Sequence, residues 1–269
     1  MSTKSTSVSP HTTGLALGGG AVLGAAHVGV LKALREHEVK IDCITGTSIG
    51  ALVGAFYAFG KSTDEIEAIA AQLSWLDVTS FTLTKYGLLS NKSLGKLIND
   101  HLGDCRMESA NIPFAVVATD IATGQKVVIS EGPVAEAVMA STCLPGIFKP
   151  VRWGERFLVD GGIVENLPVA TLRDLGANRI IAVDLNARQG SSSPKNILEV
   201  MTNSFHFLIK SSTHFDVNHN DLLIEPDLSK FNMVDTRKTK KLIEQGYIDA
   251  NAAFSAWVAK NIETKKLLP

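Results

Sequence analysis

Along most of the chain short apolar runs alternate with longer segments of helical spacing, and glycines mark many of the joins between them. Gly14-Leu15-Ala16-Leu17 predicts a strand running into Gly18-Gly19-Gly20. A helix is expected to follow from about Ala21 to Glu38, with Gly24, His27, Val30 or Leu31, and Leu34 at helical spacing. Ile41 to Thr45 predicts a second strand. Ile49 to Phe59 is apolar on every side, as suits a helix buried against a sheet, and Gly60 should stop it. Ser62-Thr63-Asp64-Glu65 reads as a capping box that opens a helix over Asp64–Leu73. Asn91 is expected to cap the next helix, through about His101.

Phe114–Ala118 and Lys126–Ser130 predict strands joined across Ala122-Thr123-Gly124-Gln125, and Val151–Trp153 and Arg156–Val159 flank Gly154-Glu155 as a second hairpin. Helices over Val134–Ser141 and Pro168–Leu175 and a buried strand over Arg179–Leu185 complete this part. A helical segment around Ile197–Ser212, a strand over Leu222–Glu225 and a helix over Thr236–Ala259 lie beyond. The alternation argues for an α/β layered fold with a central sheet and helices on both faces.

The domain organisation follows from where the pattern fails. Residues 1–13 are rich in serine and threonine without an apolar core and predict a disordered lead-in; residues 14–186 form the core; residues 187–196, with Gly190 and Pro194, read as a linker-like loop; and residues 197–269 are expected to pack on the same core as a C-terminal extension. Trp75 to Ser90 is unusually aromatic and aliphatic for a loop, fitting either a flap over an acyl-chain pocket or ordinary loop packing. A length of 269 residues allows one large core, and a net charge of −1 gives no pointer to nucleic acid. The odd set Cys43, Cys105 and Cys143 fits no metal spacing and suggests a reducing compartment. The longest apolar stretch is too short to cross a bilayer, so the expected location is cytoplasmic.

Ser48 lies in Gly46-Thr47-Ser48-Ile49-Gly50, where the second strand meets an apolar helix. In that context a serine occupies a tight strand-to-helix turn that holds its hydroxyl out at the end of the sheet. A side chain at Gly46 or Gly50 would crowd the turn, and the helix N-terminus favours developing negative charge. Gly18-Gly19-Gly20 opens the other strand-to-helix turn. A dinucleotide fingerprint needs its third glycine at position 23, which is leucine, and no acidic residue ends the second strand. Backbone amides in such a run instead suit an oxyanion hole. Asp160-Gly161-Gly162 ends a strand, and a desolvated aspartate there could take the serine proton. A Ser–His–Asp triad with Asp160 or Asp184 and His206, His214 or His219 fits the chain order but not the topology, because only one strand and helix precede Ser48. The late histidines show no convincing ligand spacing.

In order and spacing, Gly18-Gly19-Gly20-Ala21-Val22-Leu23-Gly24, Gly46-Thr47-Ser48-Ile49-Gly50 and Asp160-Gly161-Gly162 resemble the patatin-like phospholipase family, and so does Ala140 to Phe148. The resemblance covers roughly Gly14 to Leu185. It implies a patatin-like three-layer fold with a mostly parallel sheet, and a serine lipid acyl hydrolase. Ser48 would be the nucleophile, Asp160 the base, and the amides of Gly18, Gly19 and Gly20 the oxyanion hole. Gly24, Gly46, Gly50, Gly161 and Gly162 would support the motifs. The substrate would be a fatty-acyl ester of a phospholipid or lysophospholipid, met by peripheral membrane contact, with no metal or cofactor. An acyltransferase or thioesterase on the same dyad, or a lipid-binding protein of low activity, remains compatible. One departure stands out: the family usually carries Arg or Lys where this chain has Leu23.

Overall fold

The computed structural model describes residues 12–73, 90–188, 221–231 and 236–267, with scattered positions between 200 and 218. Strands β1 (Thr13–Leu17), β2 (Cys43–Thr47), β3 (Phe114–Asp120), β7 (Arg179–Val183) and β8 (Leu222–Ile224) run parallel; β4 (Lys126–Ile129), β5 (Val151–Trp153) and β6 (Arg156–Asp160) are antiparallel to their neighbours. Hydrogen-bonded neighbours link the strands along the path β5-β6-β3-β2-β1-β7-β8, with β4 also paired to β3. Both predicted hairpins form.

The pleat sorts side chains onto two faces. Leu15, Leu17, Ile44, Ile181 and Val183 join the larger core. It lies under α1 (Ala25–Glu36), α2 (Ile49–Ala58), α3 (Thr63–Leu73), α4 (Lys92–Leu102), α5 (Val134–Ser141) and the C-terminal helix, labelled α8 (Thr239–Leu267). Ala16, Cys43, Ile180 and Ala182 face the other way, onto Leu167, Val169 and Leu172 at and around α7 (Val169–Asp174). Helices on both faces of a mostly parallel sheet make the three layers that the alternation predicts.

Several boundaries shift. β1 starts at Thr13, one residue into the expected lead-in, because Thr13 pairs with Arg179 and the Thr12 carbonyl accepts from the amides of Asn178 and Arg179. A 3-10 turn over Ala21–Gly24 precedes α1. A four-residue helix, α6 (Gly162–Glu165), follows the aspartate turn. The capping box forms as expected: the Ser62 hydroxyl accepts from the Glu65 amide, and the Glu65 carboxylate accepts from the Ser62 amide. Asn91 does not cap α4 with its side chain. Its Nδ2 donates instead to the Met139 carbonyl at 2.8 Å, tying α4 to α5. Most of the segment from Trp75 to Ser90, and of the linker-like loop 187–196, lies outside the described residues.

α8 packs along α1 with the two backbones in contact. A Cβ at Gly29 would stand 1.9 Å from the Ile243 carbonyl oxygen, and one at Gly246 would stand 2.1 Å from that of Ala26. The His37 ring stacks on Phe254 with centroids 4.0 Å apart, extending the contact along the helix. Among the described residues no helix is long and apolar enough to cross a membrane.

Candidate active site

The site is built on β3. A strand has two edges, and β4 occupies one of them from Val116 to Thr119. The other edge is shared. β2 pairs along it up to Thr47↔Val117, and β6 takes it over from Asp160↔Ala118. Ser48, the next residue after Thr47, and Asp160 therefore meet beside Ala118. Residues far apart in sequence are brought together by consecutive positions of a third strand.

At the serine turn Ser48 takes φ 54° and ψ −125°, outside the conformations that L residues normally occupy. Gly50 is needed because its Cβ would stand 2.1 Å from the Leu17 carbonyl oxygen. Gly46 faces the first turn of α2, and Gly24 packs on Ile49, so the two strand-to-helix turns are pressed together. The Ser48 side chain makes no capping bond to α2, which leaves the hydroxyl available. Its backbone amide is held from elsewhere: Ser48 N donates to Ser141 Oγ at 2.9 Å, and Ser141 Oγ donates to the Val117 carbonyl at 2.6 Å. Ser141→Ala should leave the Ser48 amide without a partner. The expected result is a loss of about 1–3 kcal/mol, read as a lower urea midpoint. An unchanged midpoint would remove the serine from this role.

Asp160 is completely buried. Its Oδ1 accepts from the Gly162 amide at 2.8 Å, and Gly161 lies against the Val117 carbonyl. Oδ2 has no hydrogen-bond partner among the described residues. Burial pushes the carboxyl up to about 7, opposed by the nearby Ser48 hydroxyl and by the Gly162 amide. The hydroxyl is thus close enough to be felt by the carboxylate without a formed hydrogen bond. Threonines of β2 fasten the chain after the aspartate: Thr47 Oγ1 donates to the Glu165 carbonyl and Thr45 Oγ1 to that of Pro168, each at 2.8 Å.

Ser48 lines a cavity of about 290 Å³. Leu52, Val53 and Phe56 on one face of α2 line it with Ile66 and Ile69 of α3 and Leu94 of α4. The walls are mostly apolar, with Asn91, Ser93, Thr142 and Thr239 among them.

Residues 15–173 match the family model described as patatin-like phospholipase. The chain belongs to that family. It is similar to an uncharacterized NTE family protein of Mycobacterium tuberculosis, 34% identical over 208 residues that cover 76% of this chain and 58% of that one. It is also similar to the Neuropathy target esterase sws of Drosophila melanogaster, 33% identical over 186 residues that cover 66% of this chain and 13% of that one. The chain therefore spans little more than half of the mycobacterial relative. VipD from Legionella pneumophila shares the fold, with a TM-score of 0.54 at 13% identity over 93% of this chain and 68% of that one. So does a chain of the heterodimeric ExoU–SpcU complex from Pseudomonas aeruginosa, at 0.54 and 16% identity over 92% of this chain and 52% of that one.

In this patatin-like domain the glycine run departs from expectation in detail. The amides of Gly18 and Gly19 are not open to a ligand: they donate to the carbonyls of Val183 and Asn166 at 3.1 and 3.2 Å. Among the described residues the amides of Gly20 and Ala21 have no acceptor, and Ala21 takes φ 50°. Those two are the free amide donors of the run. Sequence could place the glycines but not the direction of each amide. Leu23, the departure from the family pattern, is fully buried in the larger core.

His27 Nε2 donates to the Gly18 carbonyl at 2.8 Å, and burial depresses its pKa to about 4, so it is neutral. Cys43 and Cys143 are pushed up to about 11 and about 12 by burial, which leaves them as unreactive thiols. His206, His214 and His219 lie outside the described residues. Asp184 accepts from the Asn186 amide at 2.8 Å. Among the described residues no three His, Cys, Asp or Glu side chains cluster as metal ligands.

Proposed function

We propose that this domain hydrolyses fatty-acyl esters of phospholipids or lysophospholipids through Ser48, Asp160 and an acyl-serine intermediate. The observation that carries the reading is the placement of the Ser48 hydroxyl, between a buried carboxyl raised to about 7 and a mostly apolar cavity. An aspartate near 3.8 is a weak base, whereas one near 7 can both accept a proton and return it at neutral pH.

Asp160 takes the Ser48 proton as Oγ attacks the ester carbonyl carbon. The carbonyl π electrons move onto oxygen, and the Gly20 and Ala21 amides meet that charge, helped by the N-terminus of α2. Collapse breaks the bond to the alcohol, which leaves with the proton from Asp160. Water then attacks the acyl-serine, giving one proton to Asp160. The fatty acid departs as that proton returns to Ser48 Oγ. Transfer to an alcohol or thiol would use the same steps, and product analysis separates it from hydrolysis.

The test is fatty-acid release from lysophosphatidylcholine and phosphatidylcholine dispersions by the wild type and Ser48→Ala. Release by the wild type should fall by at least about three orders of magnitude in the variant. Release that survives the substitution would overturn the reading.

A further inference from the structure

Resting on the acyl-transfer reading, the geometry points to Asn186 as a positioning residue: through its bond to the Gly19 carbonyl it turns the Gly20 amide toward Ser48. The peptide planes of the glycine run are fixed one after another. The Gly18–Gly19 peptide is held at both ends, its carbonyl by His27 Nε2 at 2.8 Å and its amide by the Asn166 carbonyl at 3.2 Å. The Gly19–Gly20 peptide is held at one end only. Its carbonyl accepts from Asn186 Nδ2 at 2.7 Å, and among the described residues its amide has no acceptor.

A trans peptide is planar, so its N–H points opposite to its C=O. The order of the sheet supplies the direction. β1 lies between β2 and β7. Ser48 follows β2, and Asn186 follows β7, so they flank the glycine run from opposite sides. A carbonyl drawn toward Asn186 sends the amide of the same plane toward Ser48. A Cβ at Gly19 would stand 3.1 Å from Ser48 Cβ, so the run already touches the nucleophile. Asn186 is 3% exposed, and its own amide is held by Asp184 at 2.8 Å, so the side chain starts from a fixed backbone. Only its Nδ2 end can serve, because a carbonyl accepts and cannot donate. Glycine gives the run little stiffness of its own, so without this bond the 19–20 plane could rotate and swing the donor away.

The experiment compares the full chain with Asn186→Ala and Asn186→Asp, the second nearly isosteric but carrying an acceptor in place of the donor. Three quantities are read: kcat and KM on lysophosphatidylcholine, the affinity for an alkyl trifluoromethyl ketone, which forms a tetrahedral oxyanion on the serine, and the affinity for the product fatty acid. Removal of an oxyanion donor costs about 10²–10³ in rate, and misorientation should cost part of that, about 10–100-fold in kcat. KM and fatty-acid affinity should stay within about twofold, and the ketone affinity should fall in step with kcat. A purely structural role would move stability without this split. Should Asn186→Asp fail to fold, Asn186→Ser carries the same readout.

Folded variants with unchanged kcat and ketone affinity overturn the inference alone. So does a loss seen equally in KM and fatty-acid binding. A wild type that releases no fatty acid and is not labelled at Ser48 by a fluorophosphonate overturns the acyl-transfer reading, and the inference with it.

Discussion

Asp160→Asn is expected to lower turnover by about three orders of magnitude and, above neutral pH, to make the protein more stable. The first effect follows from losing the group proposed to take the Ser48 proton. The second follows from burial. The Asp160 carboxyl stands at about 7 in the fold against 3.8 when free. Below 3.8 it is protonated in both states. Between 3.8 and about 7 only the folded state holds the proton, so wild-type stability falls as pH rises through this window. Above about 7 both states are ionised and the full cost remains, on the order of 4 kcal/mol from this separation. Asparagine does not titrate and escapes this cost.

His27 works in the opposite sense. Its folded value of about 4 lies below the free 6.5, so acidification from 6.5 to 4 protonates the unfolded state first and weakens the fold. The two windows overlap, and a wild-type pH curve alone would blur them. The difference between wild type and Asp160→Asn removes the histidine, which both proteins share. Urea unfolding at pH 5 and pH 8.5 should show the variant's advantage growing with pH. An advantage of the same size at both values would mean that Asp160 does not titrate near 7. In the wild type, kcat/KM should rise about tenfold per pH unit below 7 and level off above it.

Gly29→Ala should be strongly destabilising although it adds a single methyl group. The new Cβ would stand 1.9 Å from the Ile243 carbonyl oxygen and 2.5 Å from the Tyr247 amide nitrogen. Both are backbone atoms of α8, so no rotamer change relieves the clash and the helices must separate. The reciprocal approach of Gly246 to the Ala26 carbonyl doubles the constraint. Overpacking of this kind costs typically 1–3 kcal/mol and more where backbone must move, so a loss of about 3 kcal/mol or more is expected. The tryptophan on α8, Trp257, should report the change in fluorescence as the helix lifts. A urea midpoint within experimental error of the wild type would contradict this close helix contact.

The strands and helices around the two glycine-marked turns were readable because burial on both faces writes apolar runs, and the turns between them leave few residue choices. What stayed hidden depends on partners remote in sequence. Ser141 holds the Ser48 amide across 93 positions, and nothing local distinguishes it from any helical serine. Asn91 carries the identity of a cap, yet its amide finds a better acceptor on Met139. α6 has four residues, too few to show a period. Gly18, Gly19 and Gly20 look alike as letters, but remote carbonyls, of Val183 in β7 and of Asn166 after α6, decide which amide is spent. Leu23 carries no sign in the sequence that it points into the core.

The sharing of one edge of β3 has a further consequence, for how such a site can change. Successive residues of a strand face opposite sides, so a one-residue slip of β6 would turn Asp160 away from Ser48 altogether. The next slip that restores its facing moves it by two residues, about 7 Å. The separation of the two groups is therefore quantised by the pleat. An intervening histidine cannot be admitted by gradual widening, and substitutions in the cavity walls can retune chain preference without touching that spacing. Drift in this family should be continuous in what the site holds and discontinuous in the chemistry it performs.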